Sequence, residues 1–129
     1  MTTARRAGLI FVFLWFFIGG TGHFVVPQFF LQIIPPWVPL PLAAIYFSGA
    51  AELIGAFALL SPRLRPLAGI GLLLLIVGVT PVHLYMLQVP ERFPQFPIVL
   101  LWLRLVLQLL LMICVWRCTR PDRPAAVSA

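Results

Sequence analysis

Lysine is absent from this chain of 129 residues, acidic side chains number only three, and charged residues of both signs make up 9% of the whole. An ordinary soluble domain carries about a quarter charged residues. So small a polar complement cannot coat a water-soluble fold of this size, and it is too apolar for a disordered or collagen-like chain. Cysteine is scarce as well: Cys114 and Cys118 stand four apart, and no C-x-x-C occurs. That spacing puts both thiols on one helical face and leaves out the nucleophile of a dithiol oxidoreductase. Read plainly, they are small apolar helix residues. No H-E-x-x-H or other close-spaced metal motif is present either.

What is abundant is apolar length. Hydrophobic residues account for 62% of the chain, and the mean hydropathy is +1.07. The net charge of +6 comes from nine arginines, which in a soluble protein would point to nucleic acid. Their position excludes that partner: Arg5, Arg6, Arg63, Arg65, Arg117, Arg120 and Arg123 all lie at the ends of apolar runs, where they orient a membrane protein and meet anionic headgroups.

Arginines and prolines divide the sequence into runs at 8–24, 42–60, 67–87 and 98–116, each close to the ~20 residues that cross a bilayer as a helix. Strict alternation, the mark of a transmembrane barrel strand, is missing from them. The expectation is an all-α membrane protein, a four-transmembrane-helix bundle in a single domain surrounded by lipid. Arginine placement puts both termini and the turn SPRLRP at 61–66 on the cytoplasmic side, because the other loops hold only Arg92, beside Glu91. The competing reading takes MTTARRAG and LIFVFLWFF as a signal peptide, but the small residues Gly20 and Gly22 do not form an A-x-A site.

The first outer loop, VVPQFFLQIIPPWVPLP, is uncharged and rich in proline. Phe29, Phe30, Leu31, Ile33, Ile34 and Trp37 predict a short helix or turn at the membrane interface, capping the outer mouth of the bundle. The second, QVPERFPQFP, repeats the theme. Residues 117–129 are expected to form a short cytoplasmic tail, disordered after Arg120.

Ionisable groups at membrane depth cost several kcal/mol unless paired or hydrated, so each is a candidate site. They are His23, Glu52, His83 and Arg104, with Ser48 and Gln108 beside them. Following the alternating directions of the spans, Arg104 falls ~9 Å and Glu52 ~15 Å below the outer boundary, with His83 shallower. Ser48 and Glu52, Gly19 and His23, and Arg104 and Gln108 are each four apart and share a face. A single polar cavity in the outer half follows. Pro81 should free a backbone carbonyl near Val77 at that depth. Three bland readings stand beside this one: Glu52 and Arg104 as a structural ion pair, Arg104 reaching outward unpartnered, and each histidine as an ordinary interhelical hydrogen-bonder.

The stretches GTGHFVVPQFFLQIIPPWVPLP, YFSGAAELIGAFALLSPRLRPLAGIGLL, TPVHLYM and ERFP resemble the DoxX-like family of small bacterial integral membrane proteins. The resemblance implies a four-helix bundle in the bacterial cytoplasmic (inner) membrane. It also implies a link to sulfur-compound or quinone oxidoreduction beside a soluble oxidoreductase partner. The chain lacks the cysteine pairs of the vitamin K epoxide reductase group.

Residues and resemblance together lead to the expectation of a redox-associated or small-hydrophobic-ligand subunit. Its quinone-like ligand would be held by Glu52, Arg104, His83, His23, Gln108 and Ser48. The alternatives are a non-catalytic membrane scaffold, a metal site of His23, Glu52 and His83, and acid–base isomerisation of a hydrophobic ligand. Transport through four short spans would require a homo-oligomer.

Overall fold

The computed structural model describes residues 1–121; Arg123 and the remainder of the expected tail lie outside the described residues. The described residues form five α-helices: α1 (Thr3–Val25), α2 (Pro27–Ile33), α3 (Pro41–Ala58), α4 (Arg65–Gln88) and α5 (Ile98–Thr119), with a 3-10 turn at Pro90–Arg92. No strand occurs among the described residues. Four of the helices, α1, α3, α4 and α5, are long and apolar enough to cross a membrane. Their outer faces call for an apolar solvent, since Ile10, Ile54, Leu67, Leu74 and Leu110 are 60–70% exposed.

The helices overrun the apolar runs where local chemistry supports them. Thr2 caps α1 by accepting the Arg5 amide at 3.2 Å, so the helix begins five residues before the apolar run. At the other end of the chain, Thr119 bonds the Val115 carbonyl at 2.7 Å and carries α5 past 116. Proline sits in the first turn of α2, α3 and α4, where its missing N–H costs nothing. The turn after α3 is closed by Arg65, whose Nε donates to the Leu59 carbonyl at 2.9 Å and satisfies the end of that helix.

Successive long helices run antiparallel, and their main contacts pass around a ring: α1 on α3, α3 on α4, α4 on α5 and α5 on α1. The two halves of this ring are packed differently. Towards the termini and the 59–64 turn the centre is solid, built from Val12 and Phe16, Ala56 and Leu59, Leu72 and Ile76, and Leu111 and Val115. In the opposite half the helices diverge around a cavity. The segment after α1 forms α2, which packs on α3 and α1 beside that cavity. A smaller cluster of Met86, Phe93 and Leu101 seals the second loop against α4 and α5.

Candidate functional site

A glycine contact brings the first two polar faces together. A methyl group on Gly20 would lie 2.9 Å from the Gly49 carbonyl, and one on Gly49 would lie 2.6 Å from Cβ of His23. Only bare backbones can approach so closely. As a result His23 of α1 reaches α3, where its Nδ1 lies 2.9 Å from the Ile45 carbonyl and 3.0 Å from Ser48 Oγ. Its other nitrogen, Nε2, faces Glu52 Oε2 at 3.6 Å. Phe30 of α2 closes over the imidazole with ring centroids 4.1 Å apart.

The second polar group joins α4 to α5. Gln108 is buried and donates from Nε2 to the Ile76 carbonyl at 3.1 Å and to Thr80 Oγ1 at 3.2 Å. Thr80 itself donates to the same carbonyl at 2.8 Å. The backbone oxygen that draws side chains is therefore Ile76, one residue before the Val77 carbonyl expected from Pro81, and α4 continues through the proline to Gln88. The Gln108 amide oxygen accepts from Arg104 Nη1 at 2.9 Å. Arg104 also rests over the Trp15 ring of α1, 5.3 Å from its centroid, within cation–π range.

Between these groups lies a cavity of about 610 Å³, in the size range of small-molecule sites. His23, Ser48, Glu52, His83 and Arg104 line it; Gln108 does not, and acts on it only through Arg104. The rest of the wall is largely apolar, with Trp15, Ile45, Leu75 and Val79 from the long helices and Ile33 and Trp37 from the α2 segment. Glu52 Oε2 is buried and has no hydrogen-bond partner among the described residues. Glu52 and Arg104 share this lining but make no ion pair within 4.0 Å there. No three His, Cys, Asp or Glu side chains among the described residues gather as a metal-ligating group, so His23, Glu52 and His83 do not come together as a coordination shell.

Three contributors escaped sequence reasoning. Trp15 stands four before Gly19 and eight before His23, so the helical spacing that paired those two would have included it. Gly49 reads as one small residue among many. Gly78 lines the cavity with open space around it, and no sequence signal distinguishes it from Gly71.

A second depression, of about 480 Å³, lies at the other end of the bundle beside Arg5, Gly8, Cys118 and Arg120. Arg5 donates from Nε to the Cys118 carbonyl at 3.1 Å and from Nη2 to the Arg120 carbonyl at 2.6 Å, tying α1 to the end of α5. Cys114 and Cys118 are free thiols with Sγ atoms 3.9 Å apart, packed against the backbone of Gly8. Among the described residues, this end of the bundle is held closed by those arginine hydrogen bonds, and no carboxylate or histidine lines the depression.

Residues 12–119 match the family described as "Domain of unknown function (DUF8561)", and the chain belongs to it. This overturns the DoxX-like resemblance: apolar spans, proline-rich loops and glycines are what any small helical membrane bundle needs, and the quoted stretches carried little beyond them. The bacterial inner membrane, sulfur chemistry and soluble redox partner implied by that resemblance lose their basis with it. No curated protein matches the chain, and no solved structure does.

Proposed function

We propose that this member of the DUF8561 family is a multi-pass membrane protein that binds a small, mostly apolar molecule with an oxygen-bearing, quinone-like head in the 610 Å³ cavity. The observation that carries the reading is Glu52 Oε2, buried without a hydrogen bond in a cavity whose wall is otherwise largely apolar. Leaving a polar atom so placed costs about 1–3 kcal/mol, and a ligand group that meets it recovers that cost. Arg104 is held by Gln108 and Trp15 with guanidinium donors to spare, ready for a carbonyl or hydroxyl oxygen.

Orientation follows from the arginines. Arg5, Arg6, Arg63, Arg65, Arg117 and Arg120 cluster at the solid end, which supports a cytoplasmic location for that end and for both termini. The cavity then belongs to the outer half, with α2 lying along the outer interface.

Binding of a short-chain benzoquinone to the purified protein in detergent, followed by quenching of tryptophan fluorescence, tests the site. Arg104→Ala and Glu52→Gln are expected to weaken binding at least tenfold, about 1.4 kcal/mol, while keeping a wild-type helical circular dichroism spectrum. Equal affinity in the folded variants removes these residues from the site. The scaffold reading is favoured by Gln108, whose hydrogen bonds are spent on joining α4 to α5. It anticipates instead that both variants lose thermal stability and that no quinone binds.

A further inference from the structure

The hydrogen bonds around His23 bear on where one of its protons sits. The Ile45 carbonyl can only accept, and it lies 2.9 Å from His23 Nδ1 and 3.0 Å from Ser48 Oγ. A bare Nδ1 would set its lone pair against that oxygen at 2.9 Å, so the contact favours a proton on Nδ1, with Ser48 Oγ, 3.0 Å from both, donating to the carbonyl. In a neutral ring the lone pair of Nε2 then faces Glu52 Oε2 at 3.6 Å, and that oxygen is buried without a hydrogen bond. A bare nitrogen opposite a bare carboxylate would set two electron-rich atoms face to face with no hydrogen between them, in a largely apolar wall. One proton on either atom relieves this, as a neutral carboxylic acid facing imidazole or as an imidazolium facing carboxylate. The separation exceeds a direct hydrogen bond, so this proton is not locked between the two.

We propose that His23 and Glu52 act as one acid–base pair that keeps a single transferable proton at the cavity wall and exchanges it with an oxygen of the bound molecule. The natural ligand is then one that ionises, with a phenol, hydroquinone or carboxylic acid head. This rests on the binding reading above. The other polar groups facing the pair are Ser48 on α3, His83 on α4 and Arg104 on α5, while α2 offers only the Phe30 ring. Arg104 is the one cation in this lining, and it pairs with neither member within 4.0 Å. It balances whichever anion the transfer leaves. When the proton passes from Glu52 to an anionic ligand oxygen, the carboxyl O–H bond breaks, its electron pair stays on the carboxylate, and a new O–H bond forms on the ligand. No electrons change hands, and the reverse step restores the pair.

An alkyl nitrophenol, whose phenolate absorbs visible light, is a direct probe. Added as the phenolate to the purified full chain, at concentrations that saturate each protein by tryptophan quenching, it is expected to lose its visible band with wild type and to keep it with Glu52→Gln. Loss of the band in both, or in neither, overturns the proposal while leaving binding intact. Nitrogen-15 NMR of the histidine-labelled, ligand-free protein supplies a measurement independent of any ligand, since only His23 and His83 contribute imidazole signals. Protonated Nδ1 on His23 supports the pair, and a neutral ring protonated on Nε2 alone overturns it even if no probe binds.

Discussion

The candidate site depends on which residues are missing a side chain as much as on which carry charge. Gly49 and Gly71 make the point by contrast, since a methyl on Gly49 would collide with His23 whereas one on Gly71 meets nothing within 4 Å. Gly49→Ala is expected to lower stability by about 1–3 kcal/mol through overpacking and to move His23 off Ser48. Gly71→Ala should be neutral or stabilising by up to about 1 kcal/mol, because the helix loses a flexible residue. Thermal unfolding in detergent distinguishes the two, and equal effects would show that the α1–α3 contact tolerates separation. At this scale the sequence was informative about chemistry and poor about contact. Rarity picked out His23, Glu52, His83 and Arg104, because charge at membrane depth is costly wherever it occurs. Gly49 and Gly78 stayed hidden, because a glycine's role depends on what faces it.

At the level of elements, the spans and their order were legible, since apolar length and proline position state the number of crossings almost directly. Their ends were less so. Runs counted from charge to charge miss the capped turn before Gly8 and the last turn of α5, where Thr2, Arg5 and Thr119 satisfy backbone groups that hydropathy does not register. The α4–α5 seam was the larger surprise, because Gln108 was expected in the ligand site and instead bridges Ile76 and Thr80. Replacing it by leucine is expected to cost about 1 kcal/mol, the usual scale of an interhelical hydrogen bond in a membrane. It should also weaken quinone binding by releasing Arg104. A Gln108→Leu variant that loses stability with unchanged affinity would show that Arg104 needs no such tether.

For the whole molecule, orientation is the prediction with the widest consequence. In a Cys114→Ser, Cys118→Ser background, a cysteine placed at Ser61 should react with an impermeant maleimide only after the membrane is opened from the cytoplasmic side. One placed at Gln95 should react in intact cells. The reverse pattern would turn the cavity towards the cytoplasm. The division into a solid and a hollow half was readable only as a gathering of polar residues, because whether helices close or part depends on the shapes that meet between them. Gly78 adds something to that hollow half: it lines the cavity, is itself exposed, and offers no side chain, and a Cβ built there would meet nothing within 4 Å. On the proposed binding function, an alkyl tail attached to a bound head would meet no side chain at this position. Tail length would then drop out of recognition, and homologues of one head group are expected to differ in how strongly they partition into the bilayer, not in how well they fit the protein.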